Sequence, residues 1–379
     1  KGSGGASPQT LPSQDDVRLG VPYGTTGVLE FAGNARIPTV AQVLLGEVFD
    51  TNDTLTLSVS GTSIRVTDPN QVLAAGTGAV QVNDHTVDVP ISGIAGPSEI
   101  VVDSLGGDDS LTIDFSGGNF TKAILYQGGT NVSSNPGDQL VLTGGGPFAT
   151  ATLDFDNEHD GSIEIVGNAT ITYTGLEPID MTGTSIDDLV LNFTSSTSET
   201  IDLTDDSTAG NNISMIDSTA GESLTFATPN SSLTVNTNAA GGAGTDVVNV
   251  RGLDSLFTAD VAIVAADDDV NFTTNPTAVG AGLLTVDASE ILIEQAISTS
   301  GPGTITVTAD RNMRLTSGSS LTTVDGGITL TANAGATGGG LFGGIEADNA
   351  VIQTSGTGNI SLTGTGGDVD SSFPSAASN

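Results

Sequence analysis

The sequence predicts an all-β protein built by stacking: a parallel β-solenoid, in the form of a right-handed β-helix, with a short N-terminal cap or linker segment. Three observations predict it. From about residue 54 onward, short runs alternate Leu, Ile or Val with Thr or Ser and are bounded by Gly, Asn, Asp and Ser, as half-buried strands between tight turns do. No helical periodicity interrupts these runs, which excludes a sheet with crossover helices. Finally, one phrase recurs in "EILIEQAISTSGPGTITVTA" (290–309), "NMRLTSGSSLTTVDGGITLTA" (312–332) and "NAVIQTSGTGNISLTG" (349–364). Ile305 and Ile328 lie about 23 residues apart and Ile328 and Ile360 about 32 apart, the excess being assigned to a loop over "GATGGGLFGG". A unit of roughly 20–25 residues is the length of one solenoid coil.

Taken in chain order, residues 1–20 begin with "KGSGGASPQTLPSQDD" and are expected to be a flexible lead-in. A start at Lys1 rather than Met leads us to expect a processed or excised piece. Residues 21–53 are assigned to a cap or junction. Within them "RIPTVAQVLLGEVFD" (36–50) predicts a helix, with Thr39 and Gln42 as a capping box ahead of Val43, Leu44 and Val48, although the β-branched residues also suit a strand. Residues 54–365 form the solenoid body and 366–379 a flexible tail. One coil cannot bury its aliphatic residues alone, whereas stacked coils share an inner column of Ile, Leu and Val. At about 4.8 Å per coil and about 13 coils, the expected rod is roughly 60–65 Å long. A string of β-sandwiches is the rival architecture.

Composition narrows function. Lys+Arg 8 against Asp+Glu 45 gives a net charge of −37, which argues against nucleic acid, anionic membrane surfaces and polyanionic substrates. Small cations and basic partners are attracted instead. The absence of cysteine excludes disulfides and thiol-bound metal. No apolar run is long enough for membrane insertion. With no Trp and 4% aromatic residues, the core is expected to consist of small aliphatic side chains.

Several stretches could carry chemistry. "GGAGTDVVNV" (241–250) opens with one match to the calcium β-roll nonapeptide, with Asp246 at the aspartate position. No copy follows at nine or eighteen residues, so a glycine turn entering a strand is the better reading. In "DFDNEHDGSIE" (154–164), Asp156, Glu158 and Asp160 alternate before Gly161 like the first half of an oxygen-ligand loop, and these three are the candidate metal ligands. Gly167 stands where a bidentate Glu belongs, and an acidic solvated turn is the competing reading. No cofactor is required; Ca2+ is the one considered. Acidic runs at Asp108–Asp109, Asp187–Asp188, Asp205–Asp206 and Asp267–Asp269 would repel if stacked, at about 0.8 kcal/mol per pair 5 Å apart in water.

A lyase-like or hydrolase-like site on such a scaffold needs a base or paired carboxylates with basic support. Arg65, Lys122, Arg251, Arg311 and Arg314 are scattered, and His85 and His159 lie far apart, so no catalytic residues are assigned.

The phrases "GGDDSLTIDFSGGN" (106–119), "GDQLVLTGG" (137–145), "DGSIEIVGNATITYTGLEPI" (160–179), "GESLTFATPNSSLTVN" (221–236) and "DVNFTTNPTAVGAGLLTVDAS" (269–289) resemble large repetitive bacterial surface proteins, which overlap the filamentous-haemagglutinin-like adhesins. The final repeats are similar to haemagglutinin-type G-x-I-x-L-T-A coils. The resemblance covers about 50–365. It implies an extracellular or cell-surface β-solenoid serving adhesion or matrix architecture, with self-association or other surface components as partners. A calcium-stabilised surface module and a carbohydrate-active β-helix enzyme are the alternatives.

Overall fold

The computed structural model describes the backbone of Val17–Leu19 and Val43–Leu45, together with residues 52–94, 100–104, 106–131, 137–239, 244–335 and 342–367. The chain is all-β, with 53% of residues in strands and 2% helical, and its strands are mostly parallel in large sheets. Among the described residues the helical part is two single 3-10 turns, Ile91–Gly93 and Phe115–Gly117.

Parallel ladders organise the chain. One ladder pairs, in order, Thr54–Ser60, Ser110–Asp114, Gln139–Thr143, Ile179–Gly183 and Leu224–Ala227. A second pairs Ile100–Asp103, Ile124–Gln127 and Ile171–Thr174. The longest runs from Phe148–Phe155 through Ile186–Phe193, Ser232–Asn236, Asp260–Phe272, Leu284–Ile293, Ile305–Ala309 and Ile328–Ala332 to Ile360–Gly364. The two longest strands also serve a fourth ladder through their second halves, between Thr200–Asp205 and Val247–Val250 before them and Met313–Leu315 and Ile345–Ala347 after them. A separate sheet joins Thr277–Ala278, Ala296–Ser298, Ser320–Thr323 and Val351–Thr354.

Register explains the alternation in the sequence. Because successive side chains point to opposite faces, in-register parallel pairing puts like residues in columns. The longest ladder stacks Ala151, Leu189, Leu233, Val261, Leu284, Ile305 and Ile328 in one inward column, and Leu153, Leu191, Val235, Ile263, Val286, Val307 and Leu330 in the next; all are buried. The third inward position is Phe155 and Phe193, whose rings stack 5.0 Å apart, and later Ala265, Ala288, Ala309 and Ala332. This third position thus changes from ring-filled to alanine-filled along the chain. Phe115 meets Phe120 and Phe148 edge-on in the ring-filled part. The expected small aliphatics make up most of the buried core along the chain, with buried rings such as Phe226, Phe257 and Phe272 among them.

Outward positions add two amide ladders. The Asn192 amide donates to Asp154 (2.7 Å) and the Asn236 amide to Asn192 (3.0 Å). Likewise Asn249 donates to Asp202 (2.9 Å) and Asn271 to Asn249 (3.0 Å).

The phrase G-x-I-x-L-T-A has a steric cause. Gly282, Gly303, Gly326 and Gly358 each stand two residues before the first inward aliphatic, and a Cβ added to any of them would run into backbone of the preceding repeat. For Gly326 that obstacle is the Gly303 carbonyl, and for Gly358 it is the Gly326 carbonyl. Glycine here allows close approach rather than an unusual φ.

Three expectations are corrected. The Ile305–Ile328–Ile360 register is found, but the unit is not uniform. Stacked partners lie 23 and 32 residues apart in later repeats and 38 and 44 apart in earlier ones. Antiparallel segments account for the excess: Gly161–Ile165 lies between Phe148–Phe155 and Ile171–Thr174, and Ile213–Ser218 between Thr200–Asp205 and Leu224–Ala227. The helix expected over 36–50 is a strand where it is described: Val43–Leu45 pairs antiparallel with Leu73–Ala75, as its apolar β-branched character permits. The rest of that segment lies outside the described residues. Val17–Leu19, expected in the flexible lead-in, pairs in parallel with Ile100–Asp103. Residues 1–16 and, in the tail, 368–379 lie outside the described residues.

Candidate functional site

The same register position carries glycine in the longest ladder and a carboxylate in two others. Two residues before the first inward aliphatic stand Asp53, Asp109, Asp138, Glu177 and Glu222 in one ladder, and Glu199, Asp246 and Asp268 in the other. All but Glu177 are buried. Backbone amides hold them: the Asp53 N–H donates to Asp109 Oδ1 (2.7 Å) and the Asp109 N–H to Asp138 Oδ1 (2.8 Å). In the second column the Glu199 N–H donates to Asp246 Oδ1 (2.9 Å) and the Asp246 N–H to Asp268 Oδ1 (2.7 Å). Thr237 and Ser218 hydroxyls donate to Asp268 and Glu199. Asp109, Asp138, Asp246 and Asp268 therefore each satisfy the amide of a neighbouring acid in the stack, as an N-cap does for a helix.

Stacking these acids in the interior shifts their titration. Burial, reinforced by the charges of Asp109 and Asp108, pushes Asp138 up to about 7. Burial and the charges of Asp246 and Asp268 push Glu199 up to about 7. Asp246 also rises, through burial and the charge of Asp268. The expected repulsion between aligned acids is thus present, and proton retention together with amide donors offsets it.

The first column ends differently. The Glu177 N–H donates to the Asp138 carbonyl (2.7 Å). Glu222 therefore lacks the amide that Asp109 and Asp138 receive, and its Oε1 accepts only from the Ser223 N–H, at 3.3 Å. Its Oε2 has no hydrogen-bond partner although the residue is 2% exposed. Burial, with the charges of Glu177, Asp217 and Glu158, pushes Glu222 up to about 9, so it is protonated at neutral pH. Glu222 lines a cleft of about 480 Å³ together with Glu158, Glu177, Asp217, Met215 and Pro178. Glu158 comes from the turn after Phe148–Phe155. Met215 and Asp217 come from Ile213–Ser218, whose alternation turns Ser214 and Ile216 inward. His159 stands at the edge, with Nδ1 3.5 Å from Glu177 Oε1 and 3.2 Å from the Leu176 carbonyl.

The three candidate metal ligands separate. Asp156 accepts from the Thr194 hydroxyl (2.9 Å). Asp160 accepts from the Asn157 amide (3.0 Å) and the Gly175 N–H (3.2 Å), while Glu158 faces the cleft. Among the described residues no group of three or more His, Asp or Glu side chains is placed to hold a metal ion. Gly161 begins a strand, where an added Cβ would meet the Asp154 carbonyl and the Tyr173 hydroxyl. Following the glycines of the β-roll-like stretch, Asp246 is 2% exposed and directly precedes the strand Val247–Val250, so its carboxylate belongs to the buried column.

Three of the scattered arginines are used in ion pairs: Arg65 with Asp88 (2.8 Å), Arg251 with Asp202 (2.9 Å) and Arg311 with Glu290 (2.6 Å). Glu290 is in register with Asp269, so Arg311 offsets one of the stacked acidic pairs. The sequence, in which these arginines are scattered, does not show that cross-layer pairing. Sequence reasoning also misses Glu222, whose signal is available: the pattern acid-x-apolar-x-apolar recurs at all eight column positions. Comparison with protein-family models, with curated proteins and with solved structures returned no match.

Proposed function

We propose that the chain is a non-catalytic β-solenoid that supplies length and a polyanionic surface at a bacterial cell surface or in an extracellular matrix. The observation that carries this reading is the in-register pairing of the longest ladder from Phe148–Phe155 to Ile360–Gly364, with buried columns that run as far as Ile328–Ala332. On the solenoid reading the ladders share ten layers, from Thr54–Ser60 to Ile360–Gly364, so at about 4.8 Å per step the stack is about 43 Å long. That is shorter than a uniform 23-residue period would give, because the early layers carry hairpins. The repeat grammar and its resemblance to adhesin-like surface proteins support the extracellular part of the reading.

The same reading includes self-association. Ile360–Gly364 pairs with Ile328–Ala332 on one edge, and among the described residues nothing pairs with its other edge. Ile360 and Leu362 are 43% and 51% exposed there. An unpaired edge with exposed aliphatics is a template for a further strand. Sedimentation of the full chain tests this: the expected result is a concentration-dependent oligomer that Leu362→Lys returns to monomer. A wild-type chain that stays monomeric at millimolar concentration removes self-association and leaves a monomeric spacer. Calcium stabilisation is the alternative role, favoured by a melting temperature that rises in millimolar calcium relative to chelator.

A further inference from the structure

We infer that the cleft around Glu222 is a binding site for a primary alkylammonium group on an aliphatic stem, as carried by a diamine or a lysine side chain. Three features point to that chemistry, and none depends on the solenoid reading. The carboxyl at the cleft is nearly fully buried and one of its oxygens has no partner, so a donor supplied from outside would complete it. Glu177, Glu158 and Asp217 surround it with negative charge, and among the described residues no Lys or Arg lines the cleft to neutralise them. The cleft also contains Met215 and Pro178, which give a methylene chain apolar surface to lie against while its charged head stays among oxygens. At about 480 Å³ the space is far larger than a bare ion, and the acids are not grouped as metal ligands.

Titration supports the assignment. Glu222 holds a proton at neutral pH, and an arriving ammonium favours its carboxylate form, so binding releases that proton. The titratable groups facing Glu222 are Glu177, Asp217, Glu158 and the buried Tyr173, with His159 beside Glu177. Affinity then rises with pH from 7 toward about 9, by up to about tenfold per pH unit, while the amine stays charged.

The test is calorimetric titration of the full chain with 1,5-diaminopentane and, separately, with a short lysine-containing peptide. The expected result is saturable 1:1 binding of at least one of the two, with proton release at pH 7.5 read from buffers of different ionisation enthalpy. Binding of the diamine alone identifies a free polyamine as the ligand, and tighter binding of the peptide identifies a protein lysine. Glu222→Gln should weaken binding by about tenfold or more and abolish the proton release. Asp348→Asn, which removes an exposed charge elsewhere, should leave affinity within about twofold. Met215→Lys, which tethers an ammonium in the cleft, should abolish binding and raise the melting temperature, so the inference is tested even if Glu222→Gln folds poorly. No saturable binding up to about 10 mM, a value already weak on the affinity scale, would overturn the inference. Equal weakening by Asp348→Asn, or tighter binding of calcium at the same site, would do so as well.

Discussion

At Gly326 the backbone of one repeat lies so close to the Gly303 carbonyl that a methyl group has no room. Gly326→Ala must push two stacked turns apart, at a cost of about 1–3 kcal/mol. Chemical denaturation against the outward control Thr329→Ala, expected within about 0.5 kcal/mol of wild type, checks it. The buried acids make a second residue-scale prediction, of pH dependence. Glu222, Glu199 and Asp138 bind protons more tightly folded than unfolded, since their values rise from 4.5, 4.5 and 3.8 to about 9, 7 and 7. Between those limits the folded state holds more protons than the unfolded state, so stability falls as pH rises. Their contribution is complete below the unfolded values and is lost through pH 7 for Asp138 and Glu199, and through pH 9 for Glu222. Asp254, whose carboxylate accepts several backbone N–H bonds and is held low, works in the opposite sense at acid pH. The melting temperature should therefore be higher at pH 5 than at pH 9. Glu222→Gln should flatten the decline between pH 7 and 9. A melting temperature that climbs over this range would contradict the assignment.

Single elements gain their stability from neighbours in the stack. Leu191 is fully buried between Leu153 and Val235 in the longest ladder, so Leu191→Ala leaves a cavity bordered by two other strands. We expect a loss of about 2–5 kcal/mol, measured by urea unfolding. This is also where sequence and structure meet. The strands were legible because period-two alternation is a direct consequence of one buried face, and the Ile305–Ile328–Ile360 register was legible because the turns between those strands are short or glycine-rich. The earlier register was not, since partners such as Asn192 and Asn236 are separated by hairpins that carry the same alternation as the stacked strands. The strand Val43–Leu45 was read as helix because apolar spacing in a short segment does not distinguish the two. For the site, Asp156, Glu158 and Asp160 looked joined by their spacing. The acids that do line up, such as Glu199, Asp246 and Asp268, are 47 and 22 residues apart and become neighbours only through register.

The whole molecule is governed by pairing across layers: aliphatics in columns inside, amides and ion pairs outside, glycines and carboxylates at the turns. Its formal charge of −37 includes acids that the two columns bury, and the three arginine pairs are surface contacts worth about 0.2–1 kcal/mol each. Cohesion therefore rests on backbone ladders and the shared core rather than on ion pairs. The absence of cysteine makes the central claim directly testable, since introduced thiols have no competitors. Thr306 and Thr329 are in-register partners on the outer face of adjacent parallel strands. Their Cα atoms should lie about 4.8 Å apart, within the range that a disulfide spans. Thr306→Cys with Thr329→Cys should form an intramolecular disulfide under mild oxidation with the fold retained, whereas Thr306→Cys with Thr331→Cys, one pleat out of register, should not. Bridging of the shifted pair, or of neither, would contradict an in-register parallel stack.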